Sequence, residues 1–66
     1  MNQYQVTVKF PKSNVYEVVG RDAVERAEAE RLYRVYENLG HCVHMHELTL
    51  TGSRLVKQTD SGLQPA

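Results

Sequence analysis

Only one long stretch of this 66-residue chain repeats with the period of a helix, and strand-like runs flank it on both sides. A lone helix cannot cover its own apolar stripe, so the flanking strands must supply the surface it packs on. The helical stretch is DAVERAEAERLYRVYENLG, read as a helix from Asp22 to Leu39. Asp22 stands where an N-cap is wanted, and Glu25 three residues on fits the reach-back position of a capping box. Gly40 follows as the left-handed stop. At about 100° per residue, Val24, Leu32, Val35 and Leu39 fall on one side with Ala27 and Tyr36 at its edges, which predicts the buried face.

The opposite side reads as solvated. Asp22, Arg26, Glu30 and Arg34 follow one another at i,i+4 spacing, with Ala29 and Tyr33 set among them. A tyrosine between arginines and carboxylates is the type of contact enriched at protein interfaces. Arg26, Glu30, Tyr33 and Arg34 are therefore the candidate partner-binding residues. The plainer alternative is a surface tyrosine lying along its neighbours' aliphatic stems.

Before the helix, QYQVTVKF alternates cleanly, with Tyr4, Val6, Val8 and Phe10 on one face and Gln3, Gln5, Thr7 and Lys9 on the other. Pro11–Asn14 is turn chemistry, and Val15–Val19 completes a hairpin in which both faces carry apolar residues. After the helix, HCVHMHELTL is a third strand. Gly52 as first central residue of a type II′ turn would lead into a fourth from Arg54 to Gln58, setting Leu50 opposite Leu55 and Thr49 opposite Val56. The fold class is thus α+β, a two-layer sandwich in β-hairpin–helix–β-hairpin order with one helix on a small, mainly antiparallel sheet. Residues 1–58 form a single domain, and 59–66, poor in apolar residues, read as a flexible tail. The uncovered sheet face and its edges are the natural places for a partner or a second copy.

The third strand conflicts with itself. If Leu48 and Leu50 pack on the helix, a regular strand turns His44 and His46 inward with them. If Val43 and Met45 are inside, both leucines are outside. A β-bulge near His46 and Glu47 would bury Val43, Met45, Leu48 and Leu50 together and expose both histidines, and this is the expected arrangement. His44 and His46, at i,i+2 on one strand face with Cys42, are candidate ligands for Zn²⁺, Ni²⁺ or Cu²⁺, although a closed structural site needs four ligands. Exposed histidines with no metal role are the commoner outcome for so short a pattern.

Charge and inventory narrow the function. Eight Lys and Arg balance eight Asp and Glu, so neither a basic nucleic-acid binder nor a strongly acidic mimic is indicated, and nucleic acid is not the expected partner. The single cysteine, Cys42, allows no internal disulfide and suits a reducing setting. No apolar run reaches membrane-spanning length and the N-terminus lacks a signal-peptide plan, so a cytoplasmic protein is expected. There is no Gly-rich phosphate loop and no Gly-x-Ser-x-Gly elbow. A Cys–His pair would have to use His44, on the same side as Cys42. No enzyme and no cofactor are expected.

The stretches YQVTVKF, VYEVVG, the Asp22–Leu39 helix and HCVHMHELTL together resemble, in size and order, small proteins encoded by phages and other mobile elements. Anti-CRISPR proteins of the hairpin–helix–hairpin kind are among them. The resemblance implies a stoichiometric inhibitor or adaptor that binds one host protein complex through a sheet or helix face. The balanced charge departs from the acidic patches many of those proteins carry, which argues against mimicry of nucleic acid.

Overall fold

The computed structural model describes residues 2–59. In chain order these form β1 (Gln3–Lys9), β2 (Tyr16–Val24), α1 (Arg26–Asn38), β3 (Cys42–Thr49) and β4 (Gly52–Gln58). The four strands make one antiparallel sheet in the order β2-β1-β3-β4, and the helix covers one face of it. The α+β fold in ββαββ order read from the sequence is the fold observed. Residues 60–66, assigned above to a tail, lie outside the described residues. Thr59, placed at the start of that tail, is tied to β3 instead: its N–H donates to the Val43 carbonyl at 3.0 Å, and its hydroxyl accepts from the Val43 N–H at 2.9 Å.

The alternation in β1 sends Tyr4, Val6 and Val8 into the core, where Val19 and Val24 of β2, Val43 and Met45 of β3, and Ala29, Leu32 and Tyr33 of α1 meet them. Phe10 and Tyr36 close one end, their rings edge to face with centroids 6.1 Å apart. The turn after β1 uses Pro11 at its first central position, and the Ser13 N–H donates to the Phe10 carbonyl at 2.9 Å.

The helix departs from its expected start. It begins at Arg26, with Glu25 as an N-cap whose side chain makes no capping bond. Asp22, expected as the cap, and Val24, expected on the helix, both belong to β2. β2 outruns Val19 because it bulges. From Tyr4 to Val6 β1 advances two residues, while its partners run five, from Val24 to Val19. The excess begins at Gly20, at φ +72°, a conformation that favours glycine. The bulge lets the strand resume so that Val24 pairs with Tyr4 and is buried. The helix stop is as read: Gly40 has φ +89°, its N–H reaches the Glu37 carbonyl at 3.0 Å, and the His41 N–H reaches the Tyr36 carbonyl at 3.1 Å, a Schellman motif.

The buried face of the helix is also corrected. Ala29, Leu32 and Tyr33 are buried with Tyr36 packed beside them, whereas Val35 and Leu39 are 41% and 65% exposed. Ala29 gives the close approach to the sheet that a larger residue would prevent, and the flat ring of Tyr33 fills the space towards β4.

The conflict in the third strand resolves without the expected bulge. β3 pairs in unbroken register with β1, from Gln3 opposite Leu48 to Lys9 opposite Cys42. Val43 and Met45 are inside, Leu48 is on the far face with His44 and His46, and Leu50 is fully exposed at the hairpin tip. The irregularity falls on β4, where Val56 is the extra residue between Leu55 opposite His46 and Lys57 opposite Met45. The hairpin also turns two residues earlier than expected, through Leu50 and Thr51, with Thr49 opposite Gly52. Gly52, at φ +147°, ends the turn and starts β4. That register puts Glu47 across from Arg54 and joins them by a 2.6 Å ion pair.

A charged cleft between the helix and the edge strand

Beside the buried Tyr33, α1 and the edge strand β4 bound an open cleft of about 510 Å³. Its floor includes Tyr4 and Met45, both core residues, and Val56 flanks it. Charged side chains from three elements form the rim: Arg26 and Glu30 from the first turns of α1, Glu47 from β3, and Arg54 and Lys57 from β4. The i,i+4 spacing of Arg26 and Glu30 points both at β4, strand alternation turns Glu47 and Arg54 to the helix side, and the extra residue Val56 brings Lys57 there as well.

Each rim charge has a partner. The Lys57 ammonium donates to Glu30 Oε1 at 2.9 Å and stands 4.6 Å from the centroid of the Tyr33 ring. That bond, followed by the lysine charge and a smaller contribution from Arg26, holds the Glu30 carboxyl below its ordinary range. Arg26 is held more loosely, with Nε 3.6 Å from Glu30 Oε2. On the other wall Arg54 Nη2 donates to Glu47 Oε1 at 2.6 Å, and Asn2 Nδ2 donates to Glu47 Oε2 at 2.8 Å.

Two of the four candidate partner residues, Arg26 and Glu30, thus meet in one site. Tyr33 does not face outward as expected. It is 5% exposed and lies under Lys57, because the true stripe is Ala29, Leu32, Tyr33 and Tyr36. Arg34 is exposed and is not among the residues that line the cleft. Lys57 and Arg54 escaped sequence reasoning because their place beside α1 depends on the β4 register, and no local pattern encodes it.

The histidine strand lies on the helix-free face. The His44 ring stacks on Tyr16 of β2 with centroids 4.1 Å apart, and the His46 ring meets it edge to face at 6.0 Å. Thr7, paired with both Val18 and His44, is buried in the middle of this face. Partial burial lowers the His46 pKa below its ordinary value, and the neighbouring His44 lowers it further. Cys42 sits two residues before His44 on the same face, opposite Lys9. Among the described residues no group of three or more His, Cys, Asp or Glu side chains could hold a metal ion. No helix of the described residues is long and apolar enough to cross a membrane. No protein-family model, curated protein or solved structure matches the chain.

Proposed function

We propose that this chain is a non-enzymatic protein-binding module that docks its partner in the cleft between α1 and β4. The observation that carries this reading is the convergence of five charged side chains from three elements around a floor containing Tyr4 and Met45. Rim charges of both signs steer and orient a partner, and Val56, 40% exposed beside the cleft, offers apolar area whose burial favours association. The loose Arg26–Glu30 pair leaves the arginine, 74% exposed, ready to meet a carboxylate of the partner. The architectural likeness to small phage and mobile-element proteins supports a stoichiometric inhibitor or adaptor acting on a host protein complex.

The test is affinity capture from bacterial lysate with the full chain and an Arg26→Ala/Arg54→Ala variant. One stoichiometric complex, lost in the variant and weakened by salt, is the expected result. A complex that the double variant retains at equal yield rules out the cleft. Tyr33→Ala is unsuitable as a probe, since it would empty a core position.

A further inference from the structure

We propose that the cleft between α1 and β4 takes an acidic segment of its protein partner, a short run of carboxylates around one apolar side chain, gripped by Arg26 and Arg54. This rests on the docking reading above and adds the chemistry of what docks.

Exposure is the first ground. The charges that line the cleft are three cations, Arg26, Arg54 and Lys57, and two carboxylates, Glu30 and Glu47. The two signs are not equally open to solvent. The side chains of Arg26, Arg54 and Lys57 are 74%, 70% and 45% exposed, against 29% for Glu30 and 15% for Glu47. The carboxylates thus lie beneath the cations paired with them, and an arriving molecule meets a positive surface. Glu47 already accepts from Arg54 on one oxygen and from Asn2 on the other. Glu30 has Lys57 on one oxygen and Arg26 beside the other. A cationic partner would have to displace one of these groups, whereas an anionic one need displace nothing.

Register is the second. Tyr4, Glu47 and Arg54 form one row across β1, β3 and β4, and Val6, Met45 and Lys57 form the row two residues along β1 and β3. Val24 pairs with Tyr4, so the helix that starts at Arg26 begins near the first row, and Glu30 stands one turn on. The Lys57–Glu30 bond joins strand to helix at the second row. Arg26 and Arg54 stand on opposite walls at the first. Two exposed guanidinium groups facing one opening suit carboxylates, which each can hold with two parallel N–H bonds. Val56, flanking the cleft, gives an apolar residue of the segment a place to lie.

Phosphate is the competing anion. A nucleic-acid strand carries a charge on every nucleotide and calls for a basic stripe. Here two carboxylates line the same cleft, and the chain as a whole has eight basic against eight acidic residues. A few carboxylates match that modest excess better than a polyanion does.

The experiment is a titration of the isotope-labelled full chain, followed by its amide shifts. The probe is a short end-capped peptide of glutamates around one leucine. Its counterpart with glutamine for glutamate and a short oligodeoxythymidylate run alongside. The acidic peptide is expected to move amides in the first turns of α1 and around Arg54 to Lys57, with an affinity that falls as salt rises. Arg26→Gln and Arg54→Gln should each raise the dissociation constant about three- to fivefold, the scale of one exposed ion pair, and the double variant about tenfold or more. Arg34→Gln, at an exposed cation outside the cleft, should leave it unchanged. Equal binding of the glutamine peptide at the cleft overturns the preference for acid and leaves the docking reading intact. Stronger shifts of the same amides by the oligonucleotide overturn it in favour of nucleic acid. Shifts scattered over the other cations of the chain, or none, also overturn it, while the docking reading is decided separately by the lysate capture.

Discussion

The most exacting prediction concerns Gly20→Ala. A Cβ at this position would lie 2.9 Å from Leu32 Cδ1, and the backbone has φ +72°. Two costs therefore add. Holding an L-residue in the left-handed region costs about 1–2 kcal/mol, offset by about 0.4–1 kcal/mol because alanine restricts the unfolded chain. Moving Leu32, which is 8% exposed and packed on the core, adds about 1 kcal/mol, at the low end for overpacking because its methyl is the end of a flexible side chain. The net loss is about 2 kcal/mol, a large share of the roughly 3–10 kcal/mol available to 66 residues. Urea unfolding followed by circular dichroism measures it, and the midpoint of thermal unfolding should fall by about 8–16 °C. Gly40→Ala is the internal control. It has φ +89° with nothing within 4 Å, so only the backbone cost of about 1 kcal/mol applies. Leu32→Val should recover part of the Gly20→Ala loss by shortening the opposing side chain, visible as coupling in a double-mutant cycle. Equal costs for the two glycines, or no coupling to Leu32, would refute the account of the bulge as seated against the helix.

Three further outcomes are expected. Glu25→Ser should stabilise the protein by about 1 kcal/mol in urea unfolding, because the N-cap position has extended backbone but no side-chain cap bond. His46 has its folded pKa lowered from 6.5, so its contribution to stability is complete above that value and is lost as pH falls below it through the folded pKa. A titration of unfolding free energy should show that slope, and His46→Gln should reduce it, whereas an unchanged slope assigns it to other groups. Excess Zn²⁺ or Ni²⁺ should leave the melting temperature unchanged, since the described residues offer no three-ligand group. A rise abolished by His44→Ala would establish a metal site on β3.

The sequence carried the order of elements, the inner face of β1 and the Gly40 stop, because each rests on a pattern within a few residues. The helix face was equally legible and was misassigned. Ala29, Leu32, Tyr33 and Tyr36 stand at i, i+3, i+4 and i+7, but counting Val24 as helical shifted the phase towards Val35 and Leu39. Val24 belongs to β2, and what carries the strand that far is a three-residue excess that begins at Gly20, which alternation alone cannot reveal. The hairpin tip misled for a related reason. Leu50 looks like a strand residue and is the most exposed large apolar side chain among the described residues. With the register of β4 displaced, Lys57 and Arg54 could not be placed beside Glu30 and Glu47. Half of the cleft was therefore hidden, while Arg26 and Glu30, fixed by helical spacing alone, were found.

The middle of the sheet has a consequence for how the protein forms. β1 and β3 are its two central strands, yet residues 3–9 must find residues 42–49 across the whole intervening hairpin and helix. Neither hairpin is stable alone, and the β1–β2 hairpin gives the helix only part of its surface until that long loop has closed. Such non-local pairing slows folding relative to a helical bundle of the same length. It also makes the protein all-or-none: a break in the chain between Gly40 and Cys42 would separate the two halves of the core, and neither half could hold its shape without the other.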